Sequence, residues 1–284
     1  MPMQREMGGA TADPSFIATL VGTEDAGPAP ASGPQPRRVA LASGKGGVGK
    51  TWLSLTLAQA LSHRRKRVLV FDADFGLANA DIQIGHLPRQ DLGAVIRDGA
   101  DLAQCIVPIE SGGFDLIAGR SGSGALAGVS ATMIADVLAR LAKVAAGYDW
   151  VLFDLGTGVD AATRQIAAHA DIVALITTED PSSLTDAYAV LKLLKRDRSA
   201  AGLTVDARIV VNQARSDTAG RRAHAALARA ARGFLRIDPP LLGIIGLDER
   251  VADAIRSQQL LIGQFPNSDA ATSVAAIARR LVGR

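Results

Sequence analysis

A single cysteine, Cys105, occurs in 284 residues, so the chain forms no intrachain disulfide and builds no zinc or iron–sulfur site from cysteines within one chain. Aromatic residues make up only 4%, with two tryptophans and two tyrosines, which leaves the core to Ala, Val, Leu and Ile. No apolar run reaches the roughly 18 residues that would read as a membrane span, and Met1 to Glu6 leads into no signal-peptide core. These absences set the expectation of a cytoplasmic protein, with peripheral attachment at the inner membrane left open. Lysine is scarce as well. There are six, the net charge is only +3, and the remaining basic residues are arginines, a weak basis for nucleic-acid binding. The four histidines, His63, His86, His169 and His224, show no metal-ligand spacing.

Two of those six lysines stand five positions apart in Ser43-Gly44-Lys45-Gly46-Gly47-Val48-Gly49-Lys50-Thr51. This stretch follows the apolar run Val39–Ala42 and precedes what reads as an amphipathic helix, Trp52 to Leu61. A strand, a glycine loop and a helix N-terminus together make an anion cradle, because glycines let backbone N–H groups converge on phosphate oxygens and the helix adds the positive end of its dipole. Gly44-x-x-x-x-Gly49-Lys50-Thr51 fits the P-loop spacing, with Lys50 directed at the β- and γ-phosphates and the Thr51 hydroxyl at Mg²⁺. Gly44-x-Gly46-x-x-Gly49 also satisfies the dinucleotide fingerprint, with Asp72 near the position of its ribose-binding acid. The Lys50-Thr51 pair argues against that rival, since a dinucleotide site needs neither a phosphate-neutralising lysine nor a metal-binding hydroxyl there.

Residues 1–36 are rich in Gly, Pro, Ala and Ser and read as a disordered arm with one apolar island, Phe16 to Val21. Residues 37–284 read as one P-loop nucleotide-binding domain, which the resemblance described below makes an ATPase domain. Strand candidates are 39–42, 68–71, 114–117, 151–153, 172–176, 207–211 and 241–245, alternating with helical stretches at about 51–63, 131–146, 161–169, 183–196, 217–233, 249–257 and 270–282. Continuous Val/Ile/Leu strands between helices predict an α/β fold, doubly wound, with a mainly parallel sheet and helices on both faces. Ligands of such sheets bind beyond the C-terminal strand ends, where Ser43, Asp72 and Asp154 fall. Asp72-Ala73-Asp74 and Asp154-Leu155-Gly156-Thr157-Gly158 both end apolar strands with a carboxylate followed closely by glycine. That pattern suits Mg²⁺ held through water and a glycine N–H near a γ-phosphate. Asp81 reads as a cap or turn former.

With these residues in place, the chain resembles the MinD/ParA class of deviant Walker A P-loop ATPases. Lys45 matches the signature lysine and Asp72–Asp81 matches the first switch. Asp72–Asp81, Ser183–Tyr188 and the ending Gly243…Asp248…Val251…Ala254…Gln258…Pro266 are most similar to the FlhG/FleN branch of flagellar-number regulators. The resemblance spans residues 38–282. It implies two protomers facing each other across ATP and Mg²⁺, with Lys45 reaching the partner's phosphates as a charge supplied in trans. Catalysis would then rest on Lys45, Lys50 and Asp74, with Asp74 orienting water. Gly44, Lys45, Gly46, Gly47, Val48, Gly49, Lys50, Thr51 and Trp52 would form the nucleotide cradle. Gly158 would sense the γ-phosphate, Asn212 would read adenine, and Asp248 would lie in the adenine loop. Thr51, Asp72 and Asp154 would form the magnesium shell.

Asn212-Gln213-Ala214-Arg215 carries no guanine motif, which favours ATP over GTP. Departures from the class pattern are Gly246 where a proline is usual, Glu179-Asp180-Pro181 in place of Pro-Glu-Pro, and an arm without the Asp-Gln-Ala-type motif that activates a flagellar GTPase. The implied function is a slowly hydrolysing, ATP-dependent dimer that regulates flagellar number or placement with a protein partner from the flagellar or pole machinery. Two alternatives stay open. One is a ParA-type partition ATPase contacting DNA through the helix that carries Arg221, Arg222, Arg229 and Arg232. The other is a MinD-like positioning protein for a division or pole assembly, with membrane contact. The closing helix, amphipathic over Ala275–Val282, reads as packed core rather than as a membrane anchor.

Overall fold

Apolar runs of four or five residues are enough to start strands here, and pairing then carries most of them further. The computed structural model describes residues 35–119 and 129–283, so the arm expected over 1–36 lies outside the described residues except for its last two. Among the described residues eight strands form: β1 (Arg37–Ser43), β2 (Val68–Ala73), β3 (Ile106–Ile109), β4 (Phe114–Ile117), β5 (Trp150–Thr157), β6 (Ile172–Thr177), β7 (Ala207–Ala214) and β8 (Leu241–Gly246). They make one sheet in the order β3-β4-β2-β5-β1-β6-β7-β8, parallel throughout except for β3, which runs antiparallel to β4. The sequence reading missed β3. Its Ile-Val-Pro-Ile run contains a proline, which cannot donate to a ladder and is tolerated where it stands, on an edge strand.

Ten helices surround the sheet among the described residues: α1 (Lys50–Ser62), α2 (Ala80–Gln83), α3 (Leu92–Asp98), α4 (Ala131–Ala145), α5 (Ala161–Ala168), α6 (Pro181–Ala200), α7 (Asp217–Ala230), α8 (Glu249–Arg256), α9 (Leu261–Gln264) and α10 (Asp269–Val282). The short helices α2, α3 and α9 have too few turns to leave a periodic signature. The helix expected over 217–233 stops its α geometry at Ala230 and continues as a π turn, Ala231–Leu235, which ends at Arg236 with φ 57°. Polar caps set several starts: Asp91, Ser130, Asp160, Ser216 and Ser268 each accept a hydrogen bond from a backbone N–H in the first turn that follows.

The strands are buried on both faces, which divides the core in two. Ala40, Leu69, Phe71, Phe153 and Val173 pack with α4, α5, α6 and α7 on one face. Val39, Leu41, Val70, Leu152 and Val210 pack with α1 and α10 on the other. This is the doubly wound arrangement that alternating strand and helix patterns predict. One expectation needs correcting. Helix α1 is not amphipathic; every residue from Lys50 to Leu61 is buried, because α10 covers the side that would otherwise meet solvent. The α10 residues Ala270, Ala271, Val274, Ile277, Ala278 and Leu281 are correspondingly buried, so its apolar face is core. Among the described residues no helix is long and apolar enough to cross a membrane.

Candidate nucleotide site

Strand parity decides which side chains meet. Successive residues of a strand point to opposite faces. Val68 and Val70 lie in the core on the α1 side, so Asp72 points to that side as well. Trp150 and Leu152 do the same for Asp154, Val210 for Asn212, and Val39 and Leu41 for Ser43. Four polar residues at four strand ends thus emerge on the face where α1 begins. Asp72 and Asp154 are direct partners in the β2–β5 register, which sets their carboxylates side by side.

The loop between β1 and α1 turns on two glycines in the left-handed region, Gly47 at φ 76° and Gly49 at φ 88°. Gly49 is doubly constrained, because a Cβ there would run into the Asn212 amide. That amide donates from Nδ2 to the Val48 carbonyl at 2.8 Å, and the Gln213 side chain donates to the Gly47 carbonyl at 3.1 Å. β7 therefore fastens the loop from below. Gln213 itself has φ 56°, unusual for a non-glycine residue. The sequence reading missed this role for Gln213.

Lys50 is 7% exposed, and its ammonium lies 3.6 Å from the Asp154 carboxylate, which is 1% exposed. Ser54, one turn further along α1, donates to the same Asp154 oxygen at 3.0 Å. It too went unread, although its i, i+4 spacing from Lys50 puts it on the same helix face. Asp72 accepts from the backbone N–H groups of Asp74 at 3.2 Å and Ala80 at 3.1 Å. Even so, burial first and the neighbouring Asp154 second push its pKa from 3.8 up to about 8. Burial also raises Asp154, against the pull of Lys50 and of the Thr51 and Ser54 hydroxyls. The second Asp154 oxygen, Oδ2, is buried with no hydrogen-bond partner. Two adjoining buried carboxylates, one close ammonium and an orphaned carboxylate oxygen make a site short of positive charge. Those oxygens and the Thr51 hydroxyl fit a hard divalent cation, whose charge reverses the local pKa trend.

Above this floor lies an open cavity of about 500 Å³, within the range of small-molecule sites. Lys45, Gly46, Gly47, Val48, Gly49, Lys50, Thr51 and Trp52 line it on one side, and Asn212, Gly246, Leu247, Asp248 and Val251 on the other. Asp74, Leu77, Asn79 and Gln83 close the end nearest β2. Asp72 and Asp154 are buried and do not line the cavity, and Gly44 packs against Asp186 of α6. The Trp52 indole nitrogen is buried there with no partner.

Three expected site residues are engaged in ways the sequence does not disclose. The Gly158 N–H donates to the Ser43 carbonyl at 3.0 Å, so in this conformation it is already engaged. Thr157 lines the cavity instead. Asp248 is a double cap, one carboxylate oxygen accepting from Arg250 N and the other from Ala270 N, both at 3.0 Å. Asp74 accepts from the N–H groups of Gly76 and Leu77, which fixes the start of the segment leading to α2. Asp81, expected as a cap or turn former, is buried inside the first turn of α2, where its carboxylate accepts from Ile82 N and Asn79 holds the N-cap position. Two of the four α7-region arginines are committed to ion pairs, Arg221 with Asp217 and Arg232 with Asp238.

Comparison with known proteins agrees with this geometry. Residues 39–262 match the model of the CobQ/CobB/MinD/ParA nucleotide binding domain. The antiactivator FleN of Pseudomonas aeruginosa is 32% identical, over 86% of this chain and 85% of that protein. The flagellum site-determining protein YlxH of Helicobacter pylori is 31% identical, over 87% and 82% respectively. Among solved structures, the septum site-determining protein MinD of Pyrococcus horikoshii, complexed with Mg-ADP, superposes with a TM-score of 0.72. It is 23% identical, with 87% of this chain and 96% of that one covered. With a P-loop over paired strand-end aspartates, and with this similarity across most of its length, the chain belongs to the CobQ/CobB/MinD/ParA nucleotide-binding family.

Proposed function

We propose that the chain is an ATP-binding, slowly hydrolysing switch that dimerises across its nucleotide and regulates flagellar number or placement. Lys45 beside an intact phosphate cradle is the observation that carries this reading. A second lysine lining the cavity, half-buried and outside the Lys50–Asp154 pair, with its ammonium on the neutral Ser182 hydroxyl, is the charge that would act on another protomer's phosphates. The flagellar assignment draws on the similarity to YlxH, a flagellum site-determining protein, and on the resemblance to the FlhG/FleN branch carried by the residues quoted above.

In this reading Lys50 and the amides of the loop would grip the β- and γ-phosphates, and Thr51, Asp72 and Asp154 would hold the magnesium ion. Bound Mg-ATP supplies the scissile phosphoanhydride and the charge that the buried carboxylates lack. Asp74, at the cavity edge, orients the attacking water. Asn212 both braces the loop through Val48 and lines the base side, where the absence of a guanine motif favours adenine. Gly158 must exchange its bond to Ser43 for one to the γ-phosphate, which makes that exchange part of the switch.

Asp74→Ala with ATP and Mg²⁺ should accumulate as a dimer by light scattering while hydrolysis falls about 100-fold or more, the lower end of what a water-positioning group contributes. A variant that binds ATP yet stays monomeric would remove the switch reading. Deleting the coding gene should change the number or position of flagella per cell, and normal flagellation would remove the biological assignment.

A further inference from the structure

The helix on the base side of the cavity, α8, ends on a residue that breaks a backbone rule. Its last turn closes in a Schellman pattern: the Gln258 N–H bonds the Ile255 carbonyl at 3.1 Å, and the Gln259 N–H bonds the Ala254 carbonyl at 2.9 Å. The residue at that corner takes the left-handed conformation, where glycine is usual because a Cβ is unfavourable. Here it is Gln258, with φ 55°. A non-glycine residue held there stores strain, and its side chain shows what the strain supports.

That side chain makes a contact spanning 176 residues of sequence: Gln258 Nε2 donates to the Ile82 carbonyl at 3.0 Å. Ile82 belongs to α2, a helix of four residues, too short to hold itself together. Gly85 packs at the same place; its φ is 64°, and a Cβ on it would come within 3.1 Å of the Gln258 side chain. The other end of α2 is held by Asp72, whose carboxylate accepts from Ala80 N at 3.1 Å. Helix α2 is thus strung between the buried carboxylate pair and the end of α8. Both helices line the cavity, α2 through Gln83 and α8 through Val251, Ala252 and Ile255. The Gln83 carbonyl oxygen is buried with no hydrogen-bond partner, so α2 is not fully satisfied while the cavity is empty.

We infer that Gln258 is a positioning residue that carries occupancy of the base side of the cavity to α2, and through Ala80 to Asp72 and the segment that holds Asp74. A base seated against Val251, Ala252 and Ile255 fixes α8, and the Gln258–Ile82 bond then fixes the far end of α2. Phosphates alone, gripped by the glycine loop, leave α8 unloaded. The inference rests on the proposed ATP site and deepens it: it names the link by which the base, remote from the scissile bond, sets the segment that orients water. A single hydrogen bond of this kind shifts an equilibrium about fivefold.

The test uses the full-length chain as wild type, Gln258→Gly and Gln258→Glu. Amide hydrogen exchange of α2 and α8 is followed with Mg²⁺ and either a non-hydrolysable ATP analogue or tripolyphosphate, each at saturation. Glycine adopts φ 55° without strain, so Gln258→Gly should fold as the wild type does, which its melting temperature checks. The ionised carboxylate of Gln258→Glu keeps the shape of the side chain but cannot donate to Ile82. In the wild type the analogue should slow exchange in α2 about fivefold more than tripolyphosphate does. In both variants that difference should vanish, while the analogue still protects α8. Equal protection of α2 by the two ligands in the wild type, or a difference that survives in both variants, would overturn the role of Gln258 and leave the ATP site intact. If the analogue protects neither the glycine loop nor α8 in the wild type, the ATP reading falls and the inference falls with it.

Discussion

The Asp72–Asp154 pair shows what a single residue costs when burial and repulsion act together. Asp72 is raised from 3.8 to about 8, so without nucleotide the folded chain binds a proton there more tightly than the unfolded chain does. The sign follows from that difference: the folded state is favoured on the acid side, and stability is lost as pH climbs from about 4 to about 8. Melting temperature measured between pH 5 and pH 8 should therefore fall more steeply without Mg-nucleotide than with it, because a bound dication replaces the missing charge. Equal slopes would show that the pair does not govern this range. Lys50 is the other half of the balance. Its removal takes away the one ammonium paired with Asp154 and the main cation of the cradle, so Lys50→Ala should lower ATP affinity on the order of 100-fold in calorimetry. Only part of this could be read in sequence: spacing named Lys50, Asp72 and Asp154, but their proximity depends on the β2–β5 register.

Among the elements, α1 and the segment around Asp248 depart most from what their residues suggest. Helix α1 carries Leu53, Leu55, Leu57 and Leu61 on several faces, and α10 completes the enclosure, so it behaves as a core helix rather than as a surface one. Leu57 is 1% exposed, and Leu57→Ala should cost about 3 kcal/mol in denaturant unfolding, within the usual range for a buried leucine. Asp248 matched a family position for adenine contact, yet its carboxylate closes the first turns of both α8 and α10. With each cap worth about 1 kcal/mol, Asp248→Ala should destabilise the chain by about 2 kcal/mol. Chemical denaturation of the nucleotide-free protein checks this; a loss under 0.5 kcal/mol, the least expected of one cap, would leave Asp248 to the nucleotide alone. The sequence could not separate the two roles, because a cap residue and a ligand residue are both an exposed-looking Asp before a helix.

For the molecule as a whole, the sheet order brings β1, β2, β5 and β7 to one edge, and the loop after β1 lies where the strand order runs outward in both directions. Nucleotide binding at such a junction couples to global stability by mass action. Mg-ATP at 100 times its dissociation constant should stabilise the fold by about 2.7 kcal/mol, seen as a raised melting temperature, and EDTA should remove most of that gain. A melting temperature indifferent to EDTA would argue against the paired carboxylates as the metal site. The edge strand β3 and the helices α2, α3 and α9 stayed hidden in sequence because short elements lack enough repeats to show a period.

The sequence alone determined the chemistry on offer. A glycine loop with Lys50 and Thr51 suits phosphates, a pair of strand-end carboxylates beside it suits a cation, and Lys45 is surplus to a single site. It also determined the fold class, since uninterrupted apolar strands need helices on both faces to escape water. The tertiary structure decided which of those groups meet and which are occupied. Strand parity and register put Asp72 beside Asp154 and under Lys50, while long-range hydrogen bonds tied Asn212 to Val48, Gly158 to Ser43 and Lys45 to Ser182. Those contacts span up to 164 residues of sequence. No local pattern encodes them, because each exists only once the sheet has brought its strand ends to one edge.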